Sequence, residues 1–152
     1  MIKVMFVCLG NICRSPMAEF ILKDIVKKQG LEKEFYIKSS ATSNEEIGND
    51  IHYGTRNKLI QEGIPFEKRK AVKLKSEDYK KYDYIIGMEK SNIINIKKIV
   101  GDDIDKKIYR LLDFSENPKD IADPWYTGNF EITFNEIVEG CNGFLKYLKN
   151  KG

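Results

Sequence analysis

Near its N-terminus the chain reads Cys8-Leu9-Gly10-Asn11-Ile12-Cys13-Arg14-Ser15, a cysteine and an arginine bracketing five residues, with a hydroxyl next in line. If this stretch curls around an anion, its successive backbone N–H groups converge on the oxygens of a phosphate, and a helix beginning there adds partial positive charge. Gly10 tolerates positive φ freely and Asn11 is the side chain best suited to follow it, so the tight concave turn is expected at these two positions. Cys8 would lie at the floor of the cradle, where the same N–H groups stabilise a thiolate and make it nucleophilic. Arg14 supplies a planar fork for two phosphoryl oxygens, and its hold tightens as charge spreads over the equatorial oxygens of a transition state. Ser15 is placed to donate to the Cys8 sulfur and help it leave. The competing interpretation, a buried strand-end cysteine beside a surface arginine, leaves the spacing without a purpose.

Such a loop needs a strand before it and a helix after it. Ile2 to Val7 is a nearly continuous apolar run, the pattern of a strand buried on both faces of a parallel sheet. From Pro16 the apolar residues Met17, Phe20, Ile21 and Ile25 recur at helical spacing, with Ser15 as expected N-cap, Pro16 at the first helical position and Gly30 as the stop. Phe35 to Ser40 and Tyr82 to Met88 read as strands, and Ile108 to Leu112 as a short one. Helices are expected over His52 to Gln61, through Ile93, Ile96 and Val100 to Gly101, and over Phe130 to Lys149. In the last of these, Phe134, Ile137, Val138, Cys141, Leu145 and Leu148 share one face. The alternation predicts an α/β fold: a small parallel sheet of about four strands flanked by helices on both faces, with the phosphate-binding loop after the first strand. Ligands of such sheets bind outside the carboxyl ends of the strands, where this loop lies.

Length and composition bound the alternatives. With 152 residues the chain is expected to form one domain, 1–152, and so to carry one site. The net charge of +3, from 26 basic and 23 acidic residues, is too weak to imply a nucleic-acid partner. The N-terminal apolar run ends at Leu9, too soon for a signal-peptide core or a membrane span, so a cytoplasmic location and no membrane partner are expected. None of the three cysteine spacings makes the paired sets of a structural zinc site, which fits a reduced compartment, no metal and no cofactor.

The segments Val7 to Glu19 and Asp123-Pro124-Trp125-Tyr126 closely resemble the low-molecular-weight protein tyrosine phosphatases, and the likeness runs nearly end to end. Ser39 to Ser43 with Ile47-Gly48-Asn49 looks like that family's second loop. The resemblance implies a metal-independent phosphatase in which Cys8 attacks phosphorus, Arg14 clamps the phosphoryl group, and Asp123 protonates the departing phenolate and later activates water. A phenolate has a pKa near 10, so a carboxylic acid aimed at its oxygen contributes roughly 10² to 10⁴ in rate. Taken alone, Asp-Pro is a common turn dipeptide. Ile12, Glu45, Trp125 and Tyr126 would line the substrate wall, the aromatic pair offering flat contact to a flat ring. Partners would be phosphotyrosine-containing proteins, and a monomer is expected.

In the family Asn11, Ser15 and Ser39 brace the loop, usually with a histidine. Here the corresponding stretch reads Glu67-Lys68-Arg69-Lys70, so the network must differ, and whether Arg69 substitutes is open. Glu45 stands where many relatives carry an aromatic residue and Glu89 where Asp is usual, two departures expected to alter the substrate rim. The resemblance also implies a reversible Cys8–Cys13 disulfide, with packing as the alternative role for Cys13. Cys141 is expected to pack in the core, and His52, the only histidine, to be exposed. Three rivals remain at this point: a thiol-linked arsenate reductase, which needs further redox cysteines; a protein arginine phosphatase, which typically has Thr where Ile12 stands; and a phosphate-binding module without catalysis, against which Cys8 and Asp123 together argue.

Overall fold

The run Ile2–Cys8 forms strand β1 at the centre of the sheet, and its period-two alternation explains why it is apolar throughout. Val4, Phe6 and Cys8 face one hydrophobic cluster and Met5 and Val7 the other. The computed structural model describes residues 1–151. After β1 come α1 (Arg14–Lys28), β2 (Phe35–Ala41), α2 (Tyr53–Gln61), α3 (Asp78–Lys81), β3 (Tyr84–Gly87), α4 (Lys90–Val100), β4 (Ile108–Arg110), α5 (Pro124–Thr127) and α6 (Phe130–Lys151). The four strands pair in the order β2-β1-β3-β4, all parallel, in register from Ile2 opposite Phe35 to Cys8 opposite Ala41. This is the expected sheet, with helices on both faces.

On one face Met17 and Ile21 of α1 and Ile137 and Phe144 of α6 close over Val4 and Phe6; on the other Ile96 of α4 packs with Leu74, Tyr82 and Ile85 over Met5 and Val7. Full burial of each such side chain contributes about 1.5–3 kcal/mol. Helix α6 lies directly on the turn Leu111–Phe114 that follows β4, because Gly140 has no side chain: a Cβ there would sit 2.5 Å from Leu111 Cγ. Its neighbour Cys141 is fully buried, as the helical spacing required.

Helix α1 departs from expectation at its start. It begins at Arg14 with Cys13 as N-cap, so Ser15 and Pro16 are its second and third residues, not cap and first residue. Ser15 cannot cap because its hydroxyl is engaged with the Cys8 sulfur and the Asn11 amide. Pro16 remains compatible, since first-turn N–H groups have no helical partner in any case. Gly30, at φ +73°, follows the helix end as expected. The two four-residue helices α3 and α5 are too short to show a period in the sequence. The last strand stops at Arg110, and the residues from Leu111 turn into a 3-10 helix.

His52 is the other correction. It caps α2, its Nδ1 accepting from Gly54 N at 3.1 Å, and its ring is half-buried between Phe130 at 5.6 Å and Trp125 at 5.5 Å. The helix start was legible, whereas the cover supplied by α6 and α5 comes from distant sequence.

Candidate active site

At the carboxyl end of β1 the chain turns through residues 9–13 into α1, and the turn closes on the Cys8 sulfur. Asn11 N and Ser15 N point at Sγ from 3.3 and 3.4 Å, and Ser15 Oγ lies 3.0 Å from it. Two amides, a hydroxyl and a 15-residue helix N-terminus thus converge on one buried sulfur. Of the two residues expected to bend the loop, Asn11 alone takes the left-handed conformation, at φ 59°. Gly10 serves differently: a Cβ there would meet Glu46 Cγ at 3.3 Å, so its bareness lets the second loop approach.

Behind the cradle, every polar atom of the fully buried Asn11 side chain is used. Its Nδ2 donates to Ser15 Oγ at 2.8 Å and Ser39 Oγ at 2.9 Å, and Ser39 Oγ in turn donates to Glu19 Oε1 at 2.6 Å. Its Oδ1 accepts from Arg69 Nη2 at 2.6 Å and from Val72 N at 3.2 Å. Arg69 thus joins Ser15 and Ser39 in holding the Asn11 side chain. Glu19 was overlooked in the sequence, though a buried acid on the apolar side of α1, paired with Lys23 one turn on at 2.5 Å, is an available signal.

In front of the cradle, Arg14 is buried with its guanidinium fixed from three sides. Its Nη1 pairs with Glu89 and donates to Ile121 O at 2.9 Å, and Nη2 faces Asp123 Oδ2 at 3.3 Å. Glu89 is thus an anchor for Arg14 and not a rim residue, because α4 starts directly behind the fork. Asp123 caps α5, its Oδ1 accepting from Trp125 N at 3.0 Å, which leaves Oδ2 toward the cleft.

The cleft holds about 120 Å³ and is lined by Cys8, Leu9, Gly10, Ile12, Cys13 and Arg14 on one side and Glu45, Glu46, Asp123, Trp125 and Tyr126 on the other. Asn11, Ser15 and Ser39 lie behind it, so the candidate catalytic, loop and wall residues meet in one place. A larger groove of about 430 Å³ beside α1 and β2 shares none of these residues and is lined by no cysteine, serine or threonine. Burial, reinforced by the charges of Cys8 and Asp123, pushes the Cys13 thiol up to about 12. All three cysteines are free thiols. Among the described residues, no cluster of three or more His, Cys, Asp or Glu could hold a metal ion, and no helix is long and apolar enough to cross a membrane.

Comparison with known proteins places this geometry. The family model for low molecular weight phosphotyrosine protein phosphatase matches residues 3–152. The low molecular weight protein-tyrosine-phosphatase YfkJ of Bacillus subtilis is 42% identical, covering 99% of this chain and 98% of that protein. Its crystal structure superposes with a TM-score of 0.95 over 99% of this chain and 96% of that one. PtpA of Staphylococcus aureus is 36% identical over 97% of this chain and 94% of its own length. The crystal structure of a low molecular weight protein tyrosine phosphatase from Streptococcus pyogenes is 41% identical with a TM-score of 0.87, covering 97% and 93%. The chain belongs to the low molecular weight phosphotyrosine protein phosphatase family.

Proposed function

We propose that the chain is a protein-tyrosine phosphatase in which Cys8 is the nucleophile, Arg14 holds the phosphoryl group and Asp123 is the general acid and then the general base. The Cys8 thiolate attacks phosphorus, the bond to the tyrosine oxygen breaks, and Asp123 delivers its proton to the leaving phenolate. Asp123, now a carboxylate, takes a proton from a water that attacks the phosphocysteine, and phosphate departs from the sulfur with Ser15 donating to the returning thiolate. Backbone amides of residues 9–13 and the Arg14 fork stabilise the charge on the equatorial oxygens. The one observation that carries the reading is the buried Cys8 sulfur held by two amides and a hydroxyl, with Arg14 and Asp123 in the same cleft.

Trp125 and Tyr126, both well exposed beside Asp123, offer the flat wall that a phenyl ring needs, and Ile12 lines the cleft with an apolar surface. Glu45 and Leu9 complete the rim. An arsenate reductase would pass a disulfide outward through a further cysteine, whereas Cys141, the cysteine outside the loop, is fully buried on the core face of α6. The same proposal takes residues 1–152 as one catalytic domain, phosphotyrosine-containing proteins as substrates, and a monomer in the cytoplasm as the working form. Three free cysteines fit a reducing setting.

The test is hydrolysis of phosphotyrosine, phosphoserine and phosphoarginine peptides with a chelator present, by wild type, Cys8→Ser and Asp123→Ala. Phosphotyrosine is expected to be cleaved fastest, Cys8→Ser to be inactive and Asp123→Ala to be slowed. Equal activity in Cys8→Ser overturns the mechanism, and faster cleavage of phosphoarginine overturns the substrate class.

A further inference from the structure

Arg69 lies in the extended segment between α2 and α3, outside every regular element, yet its side chain reaches the back of the cradle. Nη2 donates to Asn11 O at 2.5 Å and to Asn11 Oδ1 at 2.6 Å, while Nη1 donates to Asn49 O at 3.3 Å. The residue it grips is the one that has to be held. Asn11 sits at φ 59°, where a non-glycine side chain is strained, and its N–H is one of the two amides on the Cys8 sulfur.

We propose that Arg69 is a positioning residue for the phosphatase reaction: by binding both oxygens of Asn11 it fixes the Asn11 amide on Cys8.

The inference rests on the phosphatase reading of Cys8. Its physical basis is the pairing of a fixed fork with a strained residue. The two Nη2 hydrogens meet the backbone and side-chain oxygens of one asparagine, so rotating either peptide or side chain breaks a charge-assisted bond. Burial lowers the Arg69 pKa, and the charges of Glu19, Asp50 and Cys8 act against that shift without cancelling it. An arginine stays protonated at every working pH, unlike an imidazole, so the brace and its charge persist across the range in which the enzyme acts.

The experiment compares wild type, Arg69→Met and Arg69→Lys by kcat and KM on a phosphotyrosine peptide, by the rate of Cys8 alkylation with iodoacetamide at pH 6, and by thermal unfolding. Arg69→Met keeps the apolar stem and removes donors and charge. It is expected to lower kcat and slow alkylation each about tenfold, a loss equivalent to about 1.4 kcal/mol, with KM little changed. Arg69→Lys, which retains the charge on one donor nitrogen but loses the planar fork, is expected to fall between. Rates within about twofold of wild type in Arg69→Met, with only the unfolding temperature lowered, overturn the proposal by reducing Arg69 to a structural bond. Should Arg69→Met not fold, an unchanged alkylation rate in Arg69→Lys overturns it equally. Wild type that neither cleaves the peptide nor is protected from alkylation by phosphate sinks the phosphatase reading and this inference together, whereas an active wild type with indifferent Arg69 variants sinks the inference alone.

Discussion

The two sides of the cleft are built to different standards. On the cradle side Cys8, Asn11, Arg14 and Ser15 are all buried, and the sulfur, the amides and the Asn11 side chain are tied to each other and to Ser39, Arg69 and Val72. On the acid side Asp123 is partly exposed, and Trp125 and Tyr126 are 57% and 81% exposed on a single-turn helix. That turn is anchored mainly through Ala122, which bonds Glu136 at 3.1 Å and Thr133 at 2.8 Å on α6. The contrast follows from what each side must do. An anion cradle gains most from dipoles that cannot reorganise, whereas the acid has to meet leaving groups carried on differing peptides.

Substitution on each side separates rate from stability. Asp123→Asn keeps the acceptor that caps α5 but has no proton to give, so kcat on phosphotyrosine is expected to fall about 10² to 10⁴-fold. Its unfolding temperature should stay close to wild type, because the site is partly exposed, and calorimetry checks this. Asn11→Ala is expected to fail in both respects. It leaves Val72 N without its acceptor and removes one bond each from Arg69, Ser15 and Ser39, costing roughly 1–3 kcal/mol. That corresponds to several degrees in Tm, at roughly 2–4 °C per kcal/mol for this size. Misplacing the amide on Cys8 should also lower kcat on the order of 10²-fold. An Asn11→Ala protein with wild-type melting, or an Asp123→Asn protein that melts early, would erase the distinction between the two sides.

The cradle was the more legible side for the same reason that it is the more rigid. Its chemistry is contiguous in sequence, so Cys8, Arg14 and Ser15 declare themselves by spacing, and the strand and helix around them by period. Asp123 carried no signal of its own and was found through resemblance, since an Asp-Pro turn has many uses. Ser15 gave up its capping role to a sulfur seven residues before it, but the other exceptions act across long sequence distances: Glu89 turned inward to Arg14 from 75 residues away, and Arg69 reached Asn11 from 58 away. Partners of that kind are set by tertiary packing, which local propensity does not encode. His52 failed similarly, being covered by rings from α5 and α6.

On the acid side, Trp125→Ala should act on binding alone. Its ring is mostly in solvent, so stability is expected to move by no more than about 0.5 kcal/mol. Losing one aromatic contact worth about 0.5–1.5 kcal/mol should raise KM for phosphotyrosine peptides roughly two- to tenfold, with kcat nearly unchanged. Steady-state kinetics with a peptide and with free phosphotyrosine check it. A fall in kcat of the size expected for Asp123→Asn would mean that the wall also positions the acid.

The smallest effect belongs to the cradle and reads its burial directly. Cys13 keeps its proton in the folded protein up to about 12, burial being the main cause, against an ordinary value of 9.0. Between those limits the unfolded chain has released a proton that the native state still holds, so this thiol's contribution is fully present below about pH 9 and is lost as pH climbs toward 12. Tyr82, held up by burial and by Tyr36, and Tyr109, pushed to about 12 by burial and Tyr147, slope the same way. Replacing one thiol should therefore flatten the alkaline decline without abolishing it. Denaturant unfolding of wild type and Cys13→Ala at pH 8, 9.5 and 10.5 measures this as a gap that narrows with rising pH. A gap independent of pH would show Cys13 to be accessible to water, and the cradle to be looser than its hydrogen bonds imply.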